Sequence, residues 1–223
     1  KSYPDTDDKE VLDYLNAEND YYQAFLEPNK DLVNTLFEEF KGRVDETDSS
    51  VPYIKNGYEY WWEFKEGNNY RTRYRKELAS GKTEVYLDEQ ALSEGNDYFV
   101  IDSISISPDN QLVAYSIDTS GDERYDIYVR NINTGKELDV SIPDTNGTVL
   151  FVGDSKTLVF GKLAKDAWRT ESVNSLKIGE QKTEQVLFEE SDHGFFLSAE
   201  LSSSEQYLIL ETGNFDAREV WLY

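Results

Sequence analysis

Acyl-transfer hydrolysis needs a nucleophile, a base to activate it and donors for the oxyanion. The chain has no cysteine and one histidine, His193, so a thiol nucleophile and a disulfide framework are both excluded. Serines are plentiful, but the elbow G-x-S-x-G is absent. Gly153-Asp154-Ser155-Lys156-Thr157 begins like it and fails at the last glycine. It also reads as a strand-to-strand turn, whereas the elbow joins a strand to a helix. His193 lies in the polar run Glu189-Glu190-Ser191-Asp192-His193-Gly194, which reads as a surface loop. One histidine without cysteine cannot build a zinc site of the usual kind.

The acidic run Asp118–Asp126, DTSGDERYD, invites a calcium reading, yet it lacks the D-x-[DN]-x-[DN]-G spacing and the distant glutamate. It reads as a hairpin loop whose side chains cap their own backbone. Asn146-Gly147-Thr148 fits the glycosylation sequon, a weak pattern, and is read here as a turn instead. There is no P-loop and no dinucleotide fingerprint. No catalytic, cofactor-binding or metal-binding residue is assigned, and no cofactor is expected.

The charge balance narrows the partners. Forty-five acidic residues stand against 22 basic ones, a net of −23. Such a field repels nucleic acid and anionic membranes and draws cationic ligands, although solubility alone also accounts for it. No apolar run reaches the length of a membrane span, and Lys1 opens no signal-peptide pattern. The sequence starts without Met, which reads as a processed or cut piece; that it contains no Met at all is a separate feature, and why is left open.

The elements that must position these residues are mostly strands. Ile104–Ile106 leads into the turn Ser107-Pro108-Asp109-Asn110, where the fixed φ of proline suits the second turn position. Leu112, Ala114 and Ser116 alternate along a second strand, and Tyr125, Ile127 and Val129 along a third. Asn133-Thr134-Gly135 turns into a fourth. Four short antiparallel strands with tight turns make one blade of a β-propeller. The unit recurs: Leu112-Val113-Ala114-Tyr115 aligns with Leu158-Val159-Phe160-Gly161 and with Tyr207-Leu208-Ile209-Leu210. The offsets are about 46 and 49 residues, close to a blade period of roughly 40–50. A more divergent copy begins near Tyr53. A β-sandwich also has short, evenly spaced strands, but rarely as a repeating four-strand unit.

Ahead of the strands, residues 7–26 read as a helix with Asp7 and Glu10 as a capping box, and Pro28 ends it. A second helix is expected over 30–41, with Gly42 as its stop. Both carry apolar stripes that a propeller core has no place for. The reading is therefore mainly β with a short α-helical extension. Residues 1–50 form the extension and linker. Residues 51–223 form a partial propeller of about three and three-quarter blades, near 51–90, 100–143, 148–190 and an incomplete 194–223. The aromatic row Tyr58, Tyr60, Trp61, Trp62 is read as blade-to-blade core rather than as a ligand-stacking platform.

With these residues laid out, the chain resembles the prolyl oligopeptidase family of serine peptidases, and within it the oligopeptidase B (protease II) branch. Asp7–Asn19 is similar to the helical start of that family and Val51–Tyr58 to the opening of its first blade. Leu87–Leu92, Ser107–Asn110, Asp118–Glu123 and Val186–Glu190 match in order. The aromatic-Leu-Arg-Asp run expected ahead of the first helix is replaced by Tyr3-Pro4-Asp5. The resemblance implies a seven-bladed propeller covering a C-terminal α/β-hydrolase domain of the same polypeptide, where a Ser-Asp-His triad cuts short peptides after Lys or Arg. The propeller limits access by size. This chain matches only the extension and about half the propeller, so it carries no triad residue and is expected to be inactive alone. The alternatives are a non-enzymatic TolB-like binding propeller and an enzyme cutting after proline. Compartment is left open, with the cytoplasm favoured over the periplasm.

Overall fold

A computed structural model of the chain describes residues 7–179 and 184–223; the Tyr3–Asp5 start lies outside them. The chain divides into two compact units, Lys1–Asp48 and Ser49–Tyr223. No helix among the described residues is long and apolar enough to cross a membrane.

The first unit holds α1 (Lys9–Leu26) and α2 (Lys30–Lys41), joined by a 3-10 turn, Glu27–Asn29, that contains Pro28. The helix cap is Asp8 rather than the expected Asp7. The helix begins at Lys9, so it is the Asp8 carboxylate that reaches the free amide of Glu10, at 3.1 Å. Gly42 stops α2, donating its N–H to Glu38 O at 2.9 Å. No residue of either helix is buried, and the stripe Leu32, Val33, Leu36, Phe37, Phe40 is exposed.

The second unit opens with a four-stranded antiparallel sheet in sequence order: β1 (Tyr53–Lys55), β2 (Tyr58–Glu63), β3 (Thr72–Glu77) and β4 (Thr83–Asp88). A short helix not foreseen from the sequence, α3 (Glu89–Ser93), follows, with Asp88 capping Ala91 N at 3.1 Å. Next come β5 (Val100–Ile106), β6 (Leu112–Asp118), β7 (Tyr125–Asn131), β8 (Lys136–Phe151), β9 (Thr157–Leu163), β10 (Thr170–Lys177) and β11 (Gln185–Glu189), paired in sequence order. The last sheet is β12 (Phe196–Leu201), β13 (Leu208–Gly213) and β14 (Arg218–Leu222).

One strand serves two blades. The first half of β8 pairs with β7 and its second half with β9, with register shifts between. The change of partner falls where Asp144 and Gly147 take φ of 60° and 94°, a bulged bend that re-aims the strand. Backbone bonds also correct the repeat alignment. Ser107 N donates to Leu112 O at 2.9 Å, Val152 N to Thr157 O at 3.0 Å, and Ser202 N to Tyr207 O at 2.9 Å. Leu112, Thr157 and Tyr207 are therefore equivalent, and the third copy starts one residue before Leu158. The alignment matched apolar residues by type, and Thr157 fills a half-buried position that Leu112 fills in the preceding blade.

Alternation along the second strand of each blade explains why three cores form and not one. Val113 and Tyr115 of β6 join Tyr60, Tyr86 and Leu87 of the first sheet. Ala114 of the same strand faces the other way, into a cluster with Leu158 and Phe160 of β9. Val159, between those two, packs with Leu197, Leu208 and Leu210 of the last blade. A strand buried on both faces must be apolar at successive positions, and each fully buried Val, Leu or Phe contributes about 1.5–3 kcal/mol. Stacked sheets with a core between each neighbouring pair are blades of a propeller. A sandwich would have a single core.

Candidate functional site

The turn between the first and second strands of each blade is where polar residues gather. In Ser107-Pro108-Asp109-Asn110, Asn110 N donates to Ser107 O at 2.8 Å, with Pro108 in the second position as expected. The Ser107 hydroxyl donates to Asp109 Oδ1 at 2.6 Å and accepts from Leu112 N at 2.9 Å. Asn110, at φ 59°, is in the left-handed region that asparagine tolerates. Its side chain then reaches the first blade: Nδ2 donates to Asn56 O at 3.1 Å, and Oδ1 accepts from the Tyr60 hydroxyl at 3.2 Å.

Arg75 completes this junction. It is 1% exposed. Its Nε and Nη2 donate to Glu84 Oε1 at 2.9 and 2.6 Å, and its Nη1 to Asn110 O at 2.6 Å. The guanidinium also lies over the Tyr58 ring, 4.5 Å from its centre. Glu84 is held below the usual carboxylate range, first by the hydrogen bond from Lys82 and then by those from Arg75, against the opposing effect of burial. Sequence reasoning did not single out Arg75. In the run Arg71, Arg73, Arg75 it looks like one more solvated cation, and its only signal is that it lies opposite Tyr60 in the β2–β3 register.

On the other side of the same turn, Asp109 N donates to Ser155 Oγ at 3.0 Å. Ser155, the one serine whose surroundings begin like a nucleophile elbow, is a peg between two blades. His193 is exposed in the loop between β11 and β12, and no contact joins it to Ser155 among the described residues. The structure brings together no nucleophile and base from the residues considered.

The acidic run folds onto itself. The Asp118 carboxylate accepts from the N–H groups of Ser120 at 2.8 Å, Gly121 at 2.9 Å and Glu123 at 3.0 Å. Burial pushes this carboxyl up, but the backbone donors outweigh it and hold it below its ordinary value. Beside it lies a polar cleft of about 390 Å³ lined by Thr119, Ser120, Asp122, Arg124, Asp126 and Asp144. Arg124 already supplies its cation, donating to Asp144 Oδ1 at 3.2 Å and to Ala164 O at 2.9 Å. The indole of Trp168 donates to Asp122 O, so the cleft works as a junction of loops from adjacent blades.

The sequon asparagine is also engaged. Asn146 Nδ2 donates to Thr170 Oγ1 at 2.9 Å, and its Oδ1 accepts from Thr148 N at 3.0 Å. The aromatic row divides by strand alternation. Tyr58 and Tyr60 enter the core shared with the next blade, whereas Trp61 turns to the opposite face, stacked on Tyr74 at 5.5 Å. Trp62 lies beneath the Arg71 guanidinium, 4.6 Å away. No continuous platform results.

The chemistry on display is that of blade-to-blade fastening, and comparison with known proteins places it. The family described as "Prolyl oligopeptidase, N-terminal beta-propeller domain" matches residues 4–223. The chain is 28% identical over 221 residues to the dipeptidyl aminopeptidase BI of Pseudoxanthomonas mexicana, covering 92% of this chain and 31% of that protein. It is 25% identical over 228 residues to protease 2 of Moraxella lacunata, covering 97% and 32%. The solved structure of oligopeptidase B from Trypanosoma brucei, in its closed form with covalently bound antipain, superposes with a TM-score of 0.86 at 27% identity, covering 97% of this chain and 31% of that one. The chain thus spans about a third of the length of the curated relatives it matches. An unbroken match across the helices and every blade is more than propeller geometry alone would produce: the chain belongs to the prolyl oligopeptidase family of serine peptidases, in the N-terminal β-propeller domain.

Proposed function

We propose that this chain is the non-catalytic, access-limiting part of an oligopeptidase B-like serine endopeptidase. A C-terminal α/β-hydrolase domain of the same polypeptide would hold the triad and cut short peptides after Lys or Arg. In this reading residues 1–50 are the extension that docks on that domain, and residues 51–223 are blades that exclude folded substrates. None of their side chains makes or breaks a bond, and none holds a cofactor or metal. The exposed apolar faces of α1 and α2 fit such docking, since a water-facing stripe of Leu32, Leu36 and Phe40 calls for cover.

The observation that carries the reading is the likeness, over 97% of the chain, to an oligopeptidase B. The net charge of −23 suits basic peptides through long-range attraction. The test compares the whole enzyme with this chain alone on reporter peptides ending in Lys, Arg or Pro before the leaving group. Rapid turnover of the Lys and Arg reporters by the whole enzyme, with none by the chain alone, is expected. Turnover by the pure chain, or a preference for Pro, would overturn the assignment.

A further inference from the structure

The turns that join first to second strands are fastened to one another in sequence order. Asn110 holds the Asn56 turn of the first blade, and Asp109 holds Ser155 in the turn after β8. These turns therefore lie side by side at one end of the unit. A further contact at that end skips the order. Lys55, the last residue of β1, donates from Nζ to Glu205 Oε1 in the turn between β12 and β13, across 150 positions of sequence. It joins the first blade to the fourth. In a ring of seven blades these stand roughly 150° apart about the axis, so their turns face each other across the opening.

Both partners are aimed by their backbones. Lys55 precedes Asn56 and Gly57, at φ 47° and 81°, the pair of positive φ values that makes a tight hairpin turn. Glu205 has φ 56°, a region that disfavours glutamate and accepts asparagine. The equivalent position in the second blade is Asn110, whose side chain fastens to the adjoining blade. In the fourth blade that position instead carries a carboxylate, which bonds to a blade that is not its neighbour. Its turn is firmly set, with Glu205 N donating to Ser202 O at 2.8 Å and Tyr207 N to Ser202 Oγ at 3.2 Å.

We infer that the Lys55–Glu205 ion pair is a strap across the axial opening at this end of the propeller and sets the size of peptide that passes it. The inference rests on the peptidase reading above. With side chains about 40% and 41% exposed, the pair is weak and screened by salt. It can yield to a substrate without unfolding a blade.

The test measures kcat/KM of the whole enzyme for a long unstructured peptide and for a tripeptide reporter, and takes their ratio. Lys55→Gln and Glu205→Gln should each raise the long-to-short ratio about threefold, as expected for losing an exposed pair. The reversed pair, Lys55→Glu with Glu205→Lys, should restore it, and high salt should move the wild type toward the single variants. Equal ratios in all four proteins would overturn the strap. These 223 residues hold no cysteine, which allows an independent readout: in Lys55→Cys with Glu205→Cys, set against the whole enzyme and each single cysteine variant, a bridge at this place needs both new thiols. A short bis-maleimide should bridge them and lower the ratio. If the wild type cuts no peptide at all, the peptidase reading fails and bridging decides the strap alone: efficient bridging supports it, and no bridging refutes it.

Discussion

Replacing Arg75 by methionine tests whether the first blade is held to the second by one buried cation. The substitution keeps the stem and removes three hydrogen bonds, two to Glu84 and one to Asn110 O. Taking one partner from a buried pair costs about 3–5 kcal/mol. Here Glu84 is 22% exposed and keeps Lys82 at 2.8 Å, so about 2–4 kcal/mol is expected. For a domain of this size that is a fall in Tm of roughly 5–15 °C, read by intrinsic tryptophan fluorescence. Hydrogen exchange should localise the change. Protection falls in β2, β3 and the Ser107–Asn110 turn, and β13 stays as protected as before. Glu84→Gln added to Arg75→Met should cost little more, because the two act through the same contact. The pH dependence has a definite sign. Glu84 is depressed in the folded chain, so its contribution is complete above its unfolded value and is lost as pH falls through the lower folded one. The gap between Arg75→Met and wild type should therefore narrow in acid. A variant within about 1 kcal/mol of wild type at neutral pH, or a gap that widens in acid, would refute the argument.

Asp118→Ala should cost about 1–3 kcal/mol by stranding three backbone donors, measured by urea unfolding. Because the Asp118 carboxyl is held low, that deficit should persist at neutral pH, begin to shrink below about pH 4 and vanish beneath its lowered folded value. Gly147→Ala should destabilise by about 1–3 kcal/mol, since Gly147 has φ 94° and an added Cβ would run into the Asp102 carboxylate. Pairing it with Asp102→Ala should recover the steric part and leave the backbone part; no recovery in thermal melts would discount the contact. Asn110→Ala should loosen the joint between the first two blades and leave β12 and β13 unchanged in hydrogen exchange.

What repeats along this chain was legible, because propeller blades write their periodicity locally. Two-fold alternation placed β5–β7, and Pro108 and Gly135 marked the turns that the backbone makes, Gly135 at φ 68°. The slip at Leu158 shows the limit. Apolar pattern alone cannot tell Thr157 from its neighbour when both faces of a strand are buried, since a one-residue shift still reads as apolar. The bend at Asp144–Gly147 and the short α3 were missed for a related reason, as each follows from packing around it more than from propensity. Ser155 could be set aside as a nucleophile from its missing glycine, yet nothing local marks it as the acceptor for Asp109 N. The same holds for Arg75, Asn110, Lys55 and Glu205, whose partners lie 9 to 150 positions away. Turns of nearly identical backbone thus carry different side-chain tasks. Asn110 fastens neighbours, whereas Glu205 reaches a blade beyond its neighbour. In a fold made of near-copies, burial keeps the strands alike, so differences are free to collect at the turns. A single side chain there changes which blades are joined without disturbing any core.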